Sequence, residues 1–224
     1  MTSYKVKGII FDMDNTILRS KINFGAMKEA VFQCLVGNEL LHGDFPITDH
    51  TTSTILEHVQ RTTHWNAALQ VELWDILKEH ELLGMQNAEL EQGAREVLQL
   101  LHGTFKMVIM TNNSDAAALS ALSEHGIDHY FDTIIGREQM KFMKPAPDGL
   151  FAILAKYPEL SPDDWISVGD AWIDGKASQG AGVKFIAYRA DSEKMKSRGV
   201  IPDALIDDLA QLVSILKESS WTQP

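Results

Sequence analysis

Short apolar runs stand at wide intervals along this chain. The longer ones are Gly8-Ile9-Ile10-Phe11, Met107-Val108-Ile109-Met110, Trp165-Ile166-Ser167-Val168 and Val183-Lys184-Phe185-Ile186-Ala187-Tyr188, with Thr133-Ile134-Ile135 and Ala204-Leu205-Ile206 as shorter ones. A strand with one face in water alternates apolar and polar residues, whereas a parallel strand covered on both faces reads as a continuous run. These runs are therefore read as buried parallel strands. Helical patterns fill the gaps. Residues 89–102 carry Leu90, Ala94, Val97, Leu98 and Leu101 at helical spacing, and residues 114–125 open on Ser114 or Asp115 and stop at Gly126. Residues 148–156, 174–181 and 207–217, the last opened by Asp207 and Asp208, are read as further helices. Strands alternating with helices of this length predict an α/β fold with a doubly wound, Rossmann-like parallel sheet.

The stretch from 20 to 86 breaks this alternation. It holds no strand-like run but three helical patterns, at Phe24–Leu35, Thr51–Gln60 and Asn66–His80, the third with Leu69, Leu73, Ile76 and Leu77 on one face. The expected organisation is a core built from residues 1–19 and 87–224, with residues 20–86 inserted as a small all-helical cap. The terminal Ser219–Pro224 segment is expected to fray.

Charge and cysteine content narrow the function. Twenty basic against 31 acidic side chains leave a net charge of −11, which repels phosphate backbones and anionic headgroups, so neither nucleic acid nor a membrane is expected as a partner. The single Cys34 allows no internal disulfide and no Cys-x-x-Cys chemistry. The apolar run before Asp12 is too short for a signal peptide, and no run approaches the roughly 18 residues of a membrane span. A cytoplasmic location is expected.

Four loops following these runs carry the residues capable of chemistry. Asp12-Met13-Asp14-Asn15-Thr16 closes the first strand. As a pair, the two aspartates could be a capped polar turn, or a cation site with one carboxylate free to act as nucleophile. Thr111-Asn112-Asn113 follows the second core strand and offers a hydroxyl and backbone N–H groups suited to an anionic oxygen. Lys144 is held on a loop stiffened by Pro145 and Pro147, where it can serve as a fixed positive charge. Gly169-Asp170-Ala171-Trp172-Ile173-Asp174 again sets two acids after a buried strand. Each segment alone fits a helix cap or a solvated loop. Together they supply nucleophile, cation ligands and oxygen clamps at one sheet edge, the components of a phosphoryl-transfer site.

The order Asp12-x-Asp14-x-Thr16, Thr111-Asn112, Lys144-Pro145, Gly169-Asp170-x-x-x-Asp174 resembles the four motifs of the haloacid dehalogenase-like superfamily over essentially the whole chain. The helical insertion after the first motif is similar to the cap of the subfamily that includes phosphoglycolate phosphatase and β-phosphoglucomutase. The resemblance implies an Mg²⁺-dependent phosphatase acting on a small phosphorylated metabolite. It implies Asp12 as nucleophile, Asp14 as general acid and base, and Thr111, Asn112 and Lys144 as phosphate ligands. Asp12, Asp14 (through its backbone carbonyl) and Asp170 would hold the metal, with Asp174 supporting the metal water or Lys144. Two positions depart from the usual pattern or discriminate within it. Asn15 stands where most relatives have Gly, and Asn is the next most tolerant of left-handed backbone. Asp14 is the acid that carbon–halogen-cleaving members lack, which favours phosphatase over dehalogenase.

Competing readings fare less well. Gly169…Gly175-Lys176-Ala177 is one residue too long for a P-loop and has Ala where a magnesium-binding hydroxyl is required. A phospho-accepting signalling receiver shares acids, Thr and Lys-Pro in loops after strands, but has no use for a 65-residue helical insertion or the Asp170/Asp174 pair. A sugar-phosphate mutase on the same fold remains compatible with the motifs.

Overall fold

The computed structural model describes residues 6–217. Strand β1 (Gly8–Phe11) leads to a two-residue strand, β2 (Leu18–Arg19), then to helices α1 (Phe24–Gly37), α2 (Thr52–Gln60) and α3 (Ala67–Met85), and to a second short strand, β3 (Glu89–Leu90). The remainder alternates through α4 (Ala94–Leu101), β4 (Lys106–Met110), α5 (Asp115–Glu124), β5 (Thr133–Ile135), α6 (Asp148–Lys156) and β6 (Trp165–Gly169). It ends with α7 (Trp172–Ala181), β7 (Lys184–Tyr188), α8 (Ser192–Ser197), β8 (Ala204–Ile206) and α9 (Ala210–Lys217).

Six strands form one sheet in the order β5-β4-β1-β6-β7-β8, every neighbouring pair parallel. The six apolar runs of the sequence are these six strands, and the doubly wound α/β expectation holds. Side chains alternate between the two faces. Ile9, Phe11, Met107 and Ile109 pack with α4, α5 and α9, through Val97, Leu98, Leu122 and Leu212. Ile10, Val108 and Met110 pack on the other face with Leu150 and Ile153 of α6 and Ala177 of α7. At roughly 1.5–3 kcal/mol for each large apolar side chain buried, this two-sided burial drives assembly of the sheet.

Strand β1 is where the winding reverses. The chain leaves β4 for β5 on one side of it and β6 for β7 on the other, the kind of switch point beyond which open α/β sheets bind ligands. Phe11 is level with Ile109 of β4 and with Val168 of β6. Asp12, Thr111 and Asp170 therefore leave three adjacent strands at the same edge.

Helices α1–α3 pack on one another through Val31 and Leu35, Ile55 and Leu56, and Leu73 and Leu77, all buried. Their starts follow from short polar caps: Asn23 accepts from the Ala26 amide, Thr51 from Thr54, and Asn66 from Leu69. Close to the entry and exit of this segment, the Lys21 amide donates to the Gly84 carbonyl at 2.9 Å. A Cβ on Gly84 would stand 2.5 Å from the Ile22 Cα, so only glycine lets the two chain passages approach.

Several helix limits differ from the sequence expectation. The helix expected over 89–102 begins only at Ala94, because Leu90 and Glu89 pair antiparallel with Leu18 and Arg19 and Gly93, at φ 77°, turns the chain into the helix. The helix expected from 207 begins at Ala210, whose amide is capped by the Asp208 carboxylate at 2.8 Å. Helix α7 begins at Trp172, two residues before the expected start. Helix α8 was not expected at all. The Ser219–Pro224 tail lies outside the described residues.

Candidate active site

Asp12 follows the last residue of β1, its amide bonded to the Val168 carbonyl at 2.8 Å. The turn that follows is made by Asn15 at φ 57°, so the residue that replaces Gly takes up the left-handed conformation expected of it. Asn15 then bonds back to the Leu18 carbonyl at 2.6 Å. Thr111 follows β4, and its hydroxyl accepts from the Asn113 amide at 3.1 Å. Gly169 ends β6 where a Cβ would stand 2.6 Å from the Asp174 carboxyl carbon, so glycine there lets the Asp174 side chain lie against the strand end.

Lys144 is at the centre of the site. Its ammonium, 1 % exposed, donates to Asp12 Oδ1 at 2.5 Å, Asp174 Oδ1 at 2.7 Å and the Met110 carbonyl at 2.9 Å. All three of its protons are thus used. Asn112 positions it: the amide side chain donates to the Lys144 carbonyl at 3.0 Å and accepts from the Lys144 amide at 2.9 Å. Ligand oxygens of Asp12, Asp170 and Asp174 lie within 4.8 Å of one another. The Asp14 side chain is not part of that trio. Asn113 donates to its Oδ2 at 2.8 Å, while its Oδ1 is buried without a hydrogen-bond partner.

The electrostatics are lopsided, with four carboxyl groups around one ammonium. Burial pushes Asp12 well above the ordinary carboxylate range, even against the attraction of Lys144. Burial also raises Asp14 to about 6. Burial, with the neighbouring Asp174, raises Asp170 to about 7. Burial alone would lower Lys144, but Asp12 and Asp174 more than reverse this and keep it protonated. A cluster of hard oxygen donors with surplus negative charge and an unpartnered carboxyl oxygen, without thiolate or imidazole, fits a small divalent cation such as Mg²⁺.

The sequence motifs converge here: Asp12, Asp14, Thr111, Asn112, Lys144, Asp170 and Asp174 line one cavity of about 450 Å³. Two further residues beside it carried no usable signal. Glu81 of α3, which also lines the cavity, accepts from the Ser114 amide at 3.1 Å and forms a buried ion pair with Arg137. Arg137 also donates to the Trp74 carbonyl at 3.3 Å. This network ties the helical segment to the start of α5. Asn113 lies in the Thr111-Asn112-Asn113 segment, but nothing in the sequence shows that its side chain holds Asp14. Cys34 is half-buried, with burial pushing its thiol up to about 11, which leaves it unsuited to nucleophilic chemistry.

The sequence profile of haloacid dehalogenase-like hydrolases matches residues 9–188, from β1 through β7. The chain belongs to that family. A phosphoglycolate phosphatase of Vibrio vulnificus is 25% identical over 98% of this chain and 100% of its own length. A haloacid dehalogenase-like hydrolase domain-containing protein of Arabidopsis thaliana is 24% identical over 98% of this chain and 87% of its own length. Among solved structures, a HAD-superfamily hydrolase of subfamily IA from Geobacter sulfurreducens superposes with a TM-score of 0.60 at 20% identity, covering 96% of this chain and 98% of its own. The HAD-hydrolase YfnB of Bacillus subtilis, bound to magnesium, superposes with a TM-score of 0.62 at 22% identity, covering 94% and 98%. This family member is an enzyme, a phosphatase. Among the described residues no helix is long and apolar enough to cross a membrane.

Proposed function

We propose that this phosphatase is Mg²⁺-dependent and hydrolyses a small phosphate monoester through an aspartyl-phosphate on Asp12. The observation that carries the reading is the acidic set at Lys144: oxygens of Asp12, Asp170 and Asp174 lie within 4.8 Å of one another, and a single ammonium, paired with Asp12 and Asp174, stands among them. The magnesium in the Bacillus relative supports the choice of ion, and the Vibrio relative, a phosphoglycolate phosphatase, supports a small substrate. Residues 20–86 would act as a cap over a core of 1–19 and 87–224, excluding bulk water as lids do.

Mg²⁺ held by Asp12, Asp170 and the Asp14 backbone carbonyl, with Asp174 behind, would neutralise phosphoryl oxygens and make phosphorus a better electrophile. Thr111 and the Asn112 backbone would hold the remaining oxygens, and Lys144 would join them by exchanging one of its contacts to Asp12, Asp174 or the Met110 carbonyl for a phosphoryl oxygen. Lys144 binds Asp12 Oδ1, which leaves Oδ2, with only a 3.4 Å contact from Thr16, as the attacking atom. The Asp12–phosphorus bond forms as the ester bond breaks, and Asp14 gives its proton to the departing oxygen. Water then cleaves the aspartyl-phosphate while Asp14 takes the water proton, releasing phosphate. A carboxyl group near 6 suits both directions of transfer close to neutral pH.

Asp12→Asn, which cannot form the acyl-phosphate, should lose turnover by roughly 10⁴-fold or more with every substrate. With nitrophenyl phosphate, whose leaving group needs no proton, Asp14→Asn should give a burst of about one equivalent of nitrophenol per site, with phosphate trapped on Asp12. Equal slowing of alkyl and nitrophenyl esters without a burst would defeat these roles. Full activity in excess chelator would defeat the metal.

A further inference from the structure

The cavity that holds the acids has a second wall of opposite charge. Lys28, on α1, donates its ammonium to the carbonyls of Ile47 at 2.9 Å and His50 at 3.1 Å. Arg198, immediately after α8, donates to the Asp49 carbonyl at 3.0 Å and stands 5.0 Å from the centroid of the Trp172 ring. Both cations line the cavity, and both reach the same turn, one from the helical segment and one from the sheet domain. Neither pairs with a carboxylate among the described residues, in a chain with 31 acidic side chains. The nearby catalytic acids Asp12 and Asp174 are already committed to Lys144. Carbonyl dipoles satisfy some N–H groups of Lys28 and Arg198 but cancel neither charge. His50, on the same turn, has its pKa lowered chiefly by burial; the Asp49 carboxylate pulls the other way, and His58, Arg198 and Lys28 add smaller downward pushes.

We propose that the substrate carries a second anionic group, a carboxylate or a second phosphate, that binds between Lys28 and Arg198 while its phosphoryl ester meets Asp12. The proposal rests on the phosphatase reading and narrows it to bianionic substrates. Because the two cations come from the two parts of the molecule, the anion also ties the helical segment to the sheet domain. A substrate lacking it leaves two like charges unneutralised, so the site discriminates by unmatched charge rather than by shape.

Matched pairs test this: 3-phosphoglycerate against glycerol 3-phosphate, and fructose 1,6-bisphosphate against fructose 6-phosphate, all with Mg²⁺ and all referred to nitrophenyl phosphate. In at least one pair the bianionic member should have about tenfold higher kcat/KM, the size of one charge-assisted contact. An advantage in the first pair identifies a carboxylate, and in the second pair alone a phosphate. Arg198→Gln and Lys28→Met should each remove most of this advantage, chiefly through KM, and Arg198→Lys should restore part of it. Calorimetry of the same pairs with Asp12→Asn protein reads the preference without turnover and covers a poorly folded variant. Equal affinity within both pairs, or an advantage that Arg198→Gln and Lys28→Met leave intact, overturns the proposal. If no ester is hydrolysed, the phosphatase reading falls, and the binding preference still decides the second-anion site.

Discussion

Arg137 and Glu81 bury one positive charge against one negative charge, whereas Lys144 faces Asp12, Asp14, Asp170 and Asp174 alone. Both basic groups are 1 % exposed, so the desolvation cost is comparable and the contrast lies in the balance of charge. The Arg137–Glu81 pair is matched charge for charge and is joined by the Ser114 amide and the Trp74 carbonyl, while the Arg137 Nε has no hydrogen-bond partner and lies 3.8 Å from the exposed Glu138 carboxylate. Such a pair gives up solvation to fix one arrangement, here the docking of α3 beside the Thr111–Ser114 loop. The Lys144 cluster remains negative, and the cost appears as carboxyl groups that hold their protons up to about 6 and about 7. Balance marks a joint and imbalance marks a place prepared for a charged visitor.

The largest expected effect breaks the balanced pair. Arg137→Ala would strand a buried carboxylate and should cost about 3–5 kcal/mol of stability by urea unfolding, whereas the double change Arg137→Met, Glu81→Leu should recover much of it. A loss under about 1 kcal/mol, typical of exposed pairs, would mean that the joint is not electrostatic. Next comes the unbalanced cluster. Lys144→Ala should lose about 2–4 kcal/mol in kcat/KM, while Lys141→Ala, exposed three residues earlier, should be nearly neutral. Equal effects of the two would remove Lys144 from the site.

The smallest effect sharpens the contrast through pH. The carboxyl groups of Asp14 and Asp170 ionise near 3.8 when unfolded but near 6 and 7 when folded. Between those values the folded state holds more protons, so metal-free stability should fall as pH rises from about 4 to about 7. Asp170→Asn should flatten this slope, and Mg²⁺ should raise Tm more at pH 8 than at pH 5. A metal-free Tm with the same slope in wild type and Asp170→Asn would refute the assignment.

The catalytic edge is legible in the sequence because each of its parts is tied to a local signal. Asp12, Thr111 and Asp170 each follow a buried apolar run, and parallel register brings the ends of those runs together. Thr51 and Asn66 likewise open two of the helical patterns visible in the sequence. The joint is not legible, because Glu81 and Arg137 are 56 positions apart and each reads as an ordinary solvated charge until the chain is folded. The β2–β3 pair escapes for a similar reason: two residues show no periodicity, and the partner strand decides their conformation. Helix α8 has one buried apolar residue, Met195, too few to reveal a period. The cationic wall is hidden more thoroughly, since Lys28 and Arg198 are neighbours only through the carbonyls of a turn that neither belongs to.

The position of β1 in the sheet has a consequence for folding. Asp12 meets Lys144 across 132 positions of chain, and the strands on both its flanks must be paired before the four motifs stand together. Neither half of the sheet alone can contain the assembled site, because β1 supplies Asp12 between β4 and β6. Occupancy by a cation or an anion therefore reports on the entire sheet at once. Ligand added during refolding should stabilise only the last, fully wound state and leave earlier species untouched.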